Sequence, residues 1–151
     1  MGVTVPSNIN IQNNLQDGYS VATSVAPALS TDYWGIDSNS AIAGQLTQIL
    51  WMDRNEGIKN GDTWVFTSSL TIAGVAVELQ EKLTGTFASS DIWIQITAGS
   101  KSTGWDSSNT GWDSSNTSLQ FTGNDNNTYE INGVFFLNGS YDDVTYTLLV
   151  L

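Results

Sequence analysis

Residues 92 to 97 read Ile-Trp-Ile-Gln-Ile-Thr, with three isoleucines on one phase of a two-residue period and Trp93, Gln95 and Thr97 on the other. Only an extended strand sorts those two sets cleanly onto opposite faces. The same pattern recurs along the chain. Ile9 and Ile11 alternate with asparagines, Tyr19 to Val25 follows Asp17-Gly18, and Thr63 to Leu70 follows Asn60-Gly61. The end, Val144 to Leu151, is dense in β-branched and apolar residues and predicts a buried closing strand with Tyr146, Leu148 and Val150 on one face. Tyr129 to Phe136 carries Asn132-Gly133, and Asn138-Gly139 follows closely, which predicts tight turns or a bulge there. Ala41 to Met52 and Gly74 to Leu83 also show apolar residues at helical spacing. The strand formers Thr47, Trp51, Val75 and Val77 decide both for strands. The whole predicts an all-β fold, a single-domain antiparallel β-sandwich.

At 151 residues the chain can bury one proper core, and no proline-rich or charged linker divides it, so residues 1–151 read as one domain. Fifteen acidic residues face four basic ones, Arg54, Lys59, Lys82 and Lys101, for a net charge of −11. That balance argues against nucleic acid, whose phosphates need clustered cations, and against anionic membranes, though not against zwitterionic or sphingolipid-type headgroups. With neither histidine nor cysteine, the chain cannot build a Cys/His zinc site, a Ser-His-Asp triad, a thiol nucleophile or a disulfide. No apolar run approaches the roughly 20 residues that span a bilayer. Met1-Gly2-Val3-Thr4-Val5-Pro6 lacks the Ser or Thr of a myristoylation signal, and no basic-then-apolar leader is present. Few lysines and many Asn, Ser, Thr and Gly favour action outside the cell.

Between Ala98 and Asn116 the sequence turns to Ser, Thr, Gly and Asn, and within it the unit T-G-W-D-S-S-N stands twice in tandem. A loop this long in a compact domain is usually functional or disordered. The repeat places Trp105-Asp106 and Trp112-Asp113 in identical settings with no apolar neighbour of their own. A displayed indole beside an acceptor suits a sugar ring, a lipid headgroup or another protein. The competing reading is a duplication that only lengthened a loop, its indoles folded back on the sheet. Tyr33, Trp34 and Trp51, each in a polar, turn-like setting, complete a candidate ligand-binding rim with Trp105, Asp106, Trp112 and Asp113. Trp64 and Trp93 lie inside strand patterns and read as core.

Asp142-Asp143, Asn124 to Asn127 and Asp37-Ser38-Asn39 offer oxygen ligands of the type calcium takes, but none follows the EF-hand loop. They read as solvated turns with side-chain-to-backbone hydrogen bonds, and no metal or cofactor is expected. A glycosidase would need two of Glu56, Glu78, Glu81 and Glu130 facing each other across a cleft. The expectation is a protein that is not an enzyme.

The acidic, cysteine-free, tryptophan-rich profile, opening on Ile-Asn-Ile-Gln-Asn-Asn at Ile9 to Asn14 and continuing through Trp64 to Trp105, resembles the small cytolysin and lectin β-sandwiches of the aegerolysin and actinoporin-like families. The resemblance implies glycan or headgroup recognition at membranes, with homo-oligomer assembly. The leading expectation is therefore a non-enzymatic lectin- or toxin-like module that binds a glycan or a membrane-lipid headgroup through loop aromatics. A self-assembling structural or surface protein is the alternative, and a β-sandwich glycosidase comes third.

Overall fold

The computed structural model describes residues 6–53, 62–85, 90–107, 116–137 and 142–151, and these are all-β. In chain order the strands are β1 (Pro6–Asn13), β2 (Tyr19–Ser20), β3 (Ala22–Ala26), β4 (Trp34–Ile36), β5 (Ser40–Ala41), β6 (Leu46–Asp53) and β7 (Thr63–Ile72). They continue with β8 (Val75–Gly85), β9 (Ser90–Ala98), β10 (Lys101–Ser102), β11 (Asp106–Ser107), β12 (Asn116–Thr122), β13 (Thr128–Leu137) and β14 (Asp142–Val150). Neither segment that competes as a helix in the sequence is one: Leu46 to Met52 and Val75 to Leu83 are strand, because their β-branched and aromatic residues fit a half-buried pleated surface, and residues 42–45 form a turn before β6.

The first sheet has the order β12-β13-β14-β1-β6-β4. The second runs β10-β9-β8-β7-β3, with β11 also paired to β9, and β2 pairs with β5 in a short ribbon. Among the described residues every ladder is antiparallel but one: β1 runs parallel to β14, Ile9 opposite Val144 and Ile11 opposite Tyr146. Alternation fixes which side chains face inward, not the direction of the neighbouring strand.

The two sheets face each other across a shared core. Ile9, Ile11, Leu50, Met52, Ile131, Phe135, Tyr146 and Leu148 come from the first, and Phe66, Leu79, Leu83, Ile92, Ile94 and Ile96 from the second; all are buried. The Tyr146 hydroxyl donates across the gap to the Gln80 carbonyl at 3.2 Å. Trp34 meets Phe66 edge-on, ring centroids 5.9 Å apart. Val144, Tyr146 and Leu148 share the inward face of β14 as its alternation requires, but Val150, at the strand's end, is 49% exposed.

Asn132-Gly133 corrects the expected turn. β13 runs straight through it, Asn132 opposite Thr147 and Gly133 opposite Tyr146, with unbroken register. The glycine serves close approach instead: a Cβ there would lie 2.7 Å from Cδ1 of Ile94 and 3.2 Å from Cε1 of Tyr146. A two-residue hairpin turn is found instead at Ala73-Gly74, where both residues have positive φ (49° and 77°), as a tight connection between β7 and β8 requires. Asn138-Gly139 lies outside the described residues.

Candidate binding face

Strand β8 determines what the outward face of the second sheet presents. Val77, Leu79, Glu81 and Leu83 point into the core, so Ala76, Glu78, Gln80, Lys82 and Thr84 point out. Register then builds rungs across the sheet. Ser69, Glu78 and Thr97 form one, Thr67, Gln80 and Gln95 the next, and Val65, Lys82 and Trp93 the third. In the middle rung Gln95 Nε2 donates to Gln80 Oε1 at 2.9 Å and Gln80 Nε2 donates to Thr67 Oγ1 at 3.1 Å. The amides are thereby fixed in orientation, which spares a ligand the cost of ordering them.

The third rung carries an aromatic clamp. The Lys82 ammonium lies 5.1 Å from the Trp93 ring centroid and 4.6 Å from that of Trp105. Each contact is within cation–π range and contributes roughly 0.5–1 kcal/mol where water still reaches it. Among the described residues no hydrogen-bond acceptor engages this ammonium, so its three donors are uncommitted within them. Trp93 is thus an outward, half-buried residue rather than a core one, and its Nε1 is buried without a partner among the described residues. Trp64, in contrast, packs against the core.

The first copy of the repeat explains how Trp105 arrives there. Thr103 donates its N–H to the Ile96 carbonyl at 3.0 Å and accepts the Ile96 N–H on Oγ1 at 3.1 Å, extending the β9 ladder by one position. Gly104 then turns at φ 70°, a conformation that favours glycine. After it, Asp106 and Ser107 return as β11 opposite Ile94 and Trp93. Trp105, between the turn and the strand, is laid half-buried over Lys82. The unit Thr-Gly-Trp-Asp is therefore an anchor, a turn, a platform and a pairing position. Of Asp106 only the backbone is described, and Trp112 and Asp113 lie outside the described residues.

The other candidate aromatics stand elsewhere. Trp34 turns toward the core and donates its Nε1–H to the Leu29 carbonyl at 3.0 Å. Tyr33 is half-buried, and its carbonyl accepts the Asp53 N–H at 2.8 Å. Trp51 faces outward on the first sheet, between Asn8 and Gly35, and its indole occupies the space a side chain at position 35 would need. The structure therefore places Trp51 and Trp105 on the outward faces of different sheets and brings neither Tyr33 nor Trp34 to either surface cluster. What joins Trp105 is Lys82, Trp93, Gln80 and Gln95, visible in sequence only as every second residue of two strands.

The carboxylates are equally dispersed. Glu78 is exposed on the second sheet, while Glu130 faces out from the first, where Gln120 Nε2 and Asn132 Nδ2 donate to it at 3.1 and 3.3 Å. Glu81 is wholly buried between the sheets. Glu56 lies outside the described residues. Asp125 accepts the Asn127 N–H at 3.0 Å, and the Tyr129 hydroxyl that also donates to it holds its carboxyl below the usual range. Among the described residues no three His, Cys, Asp or Glu side chains are grouped to hold a metal.

No protein-family model matches this sequence, and no curated protein is significantly similar to it.

Proposed function

We propose that the protein is a non-enzymatic glycan-binding module, a single β-sandwich built from the two facing sheets, whose ligand lies on the outward face of the second. The observation that carries this reading is the Lys82 ammonium held beside the rings of Trp93 and Trp105, next to a pre-oriented amide rung. Sugars offer apolar ring faces for an indole and hydroxyls for amides and an ammonium, and this surface supplies all three. A zwitterionic membrane-lipid headgroup would offer its phosphate to the ammonium, but the exposed large apolar residues Ile36, Leu46, Val134 and Val150 belong to strands of the first sheet rather than to this face. The dispersal of Glu78, Glu81 and Glu130 among two outward faces and the core speaks against a paired-carboxylate hydrolase. The cytolysin and lectin resemblance and action outside the cell accord with the same reading, and self-assembly remains its alternative.

The test is a glycan array run beside binding to phosphatidylcholine–sphingomyelin vesicles, with Trp105→Ala and the double variant Trp105→Ala/Trp112→Ala. Loss of a ligand-facing aromatic should weaken glycan binding by about 2 kcal/mol per ring, roughly thirtyfold, while the melting temperature stays within a few degrees. Vesicle binding without glycan binding, or undiminished glycan binding by the double variant, would overturn the proposal.

A further inference from the structure

A groove of about 640 Å³ opens on the same outward face, one end of the sheet away from the Trp105 clamp. Its floor includes Ser69, Thr71, Ala76 and Glu78, and its wall is made by Tyr19 and Ser20 of β2 with Asn39 and Ser40. The wall is built rather than incidental. Asn13, wholly buried, donates from Nδ2 to the carbonyls of Asp17 at 2.8 Å and Ala41 at 3.2 Å, and accepts the Leu15 N–H at 2.9 Å. These bonds tie the turn before Tyr19 to the strand that follows Asn39. Val21 N–H to the Asn39 carbonyl at 2.8 Å closes the other side.

Groove and clamp share one strand. Glu78 lies in the groove, Gln80 in the amide rung, and Lys82 under Trp105, each two residues from the next and therefore all on one face. At about 3.3 Å per residue the Glu78-to-Lys82 span is roughly 13 Å, longer than a single pyranose ring. Along it the chemistry changes in order: a carboxylate that accepts, amides that do both, and an ammonium that donates beside a ring face. A hydroxyl-rich chain meets a partner at every step. Polyanions are disfavoured by the net charge of −11.

Building on the glycan reading, we propose that the groove at Tyr19, Asn39 and Glu78 is a second subsite of the same ligand track. The ligand is then a neutral linear oligosaccharide that lies along β8, with one unit in the groove and another against Trp105.

The experiment is calorimetric titration of the full chain with ladders of neutral linear oligosaccharides, from the monosaccharide to the hexasaccharide, in the β-1,4-glucan, β-1,3-glucan, mannan and chitin series. The track predicts affinity that climbs until both subsites are filled and then levels off, by about a hundredfold over the monosaccharide in the series that fits. Glu78→Gln, an exposed change that should leave the melting temperature unaltered, together with Ala76→Trp, which fills the groove, should remove at least about tenfold from the long ligands and leave the shortest binders unchanged. Trp105→Ala should weaken long and short ligands alike. If short and long ligands bind equally, or if the groove variants leave the long ones untouched while Trp105→Ala weakens them, the second subsite is refuted and the glycan reading stands. If no ladder binds, both fall.

Discussion

Glu81 lies in the core between Leu79 and Leu83, fully buried, and its environment allows one titration to be isolated. The Tyr146 hydroxyl is 2.6 Å from Glu81 Oε2 and 3.2 Å from the Gln80 carbonyl, and it has one proton for two acceptors. A protonated Glu81 supplies the missing hydrogen, whereas an ionised one would leave a charge facing apolar side chains, with Oε1 lacking any partner among the described residues. Burial accordingly pushes the carboxyl up to about 8 from an ordinary value of 4.5, opposed only in part by the Tyr146 hydrogen bond. The folded state therefore holds the proton more tightly than the unfolded chain. Its contribution to stability is complete below about pH 4.5 and is lost as pH rises through about 8. At about 1.4 kcal/mol per pH unit, the native state loses on the order of 5 kcal/mol over that window, some 3 kcal/mol of it by pH 7. That is a large part of the roughly 5–15 kcal/mol that holds a domain folded. The sequence contains no histidine, so little else titrates in the window. Urea unfolding from pH 5 to 9 should show the wild type weakening steadily, and Glu81→Gln, which is neutral throughout, should flatten the curve. A wild-type stability independent of pH in this range, or an equal slope in Glu81→Gln, would refute the reasoning.

Gly133→Ala should cost about 1–3 kcal/mol in urea unfolding, because the added methyl must displace Ile94 or Tyr146 within a packed core; a neutral effect would show that the two sheets have room to part. Asn13→Ala should cost about 2–4 kcal/mol, since it leaves the Leu15 N–H and the Asp17 and Ala41 carbonyls without their buried partner. Hydrogen exchange should then show faster opening of the turn before Tyr19, and unchanged protection there would contradict Asn13's role in the groove wall.

Sequence alone was enough to read the described residues as all-β and to sort most side chains of each strand between two faces, because a period of two is a local property of each strand; Trp93, read as core, and Val150, read as inward, are the exceptions. Ile92, Ile94 and Ile96 are buried as their alternation demands, and the same parity holds in β1, β8 and β14. It also singled out Trp105, since a tandem repeat is visible without any structure. Tertiary structure decided what depends on partners. Lys82, Gln80 and Gln95 become a face only when β8 is registered against β9, and a slip of one residue would send them inward. Asn132-Gly133 has the composition of a turn, yet it is a strand, paired in register with β14, where Ile94 from across the core and Tyr146 from the neighbouring strand claim the space above the glycine. The parallel pairing of β1 with β14 joins residues more than a hundred positions apart, which no local pattern encodes. Glu81 follows the same logic: alternation points it inward, but only the position of Tyr146 on the opposite sheet makes a buried carboxyl tolerable there. Local periodicity sorts side chains between two faces, and long-range strand pairing determines what each face then meets.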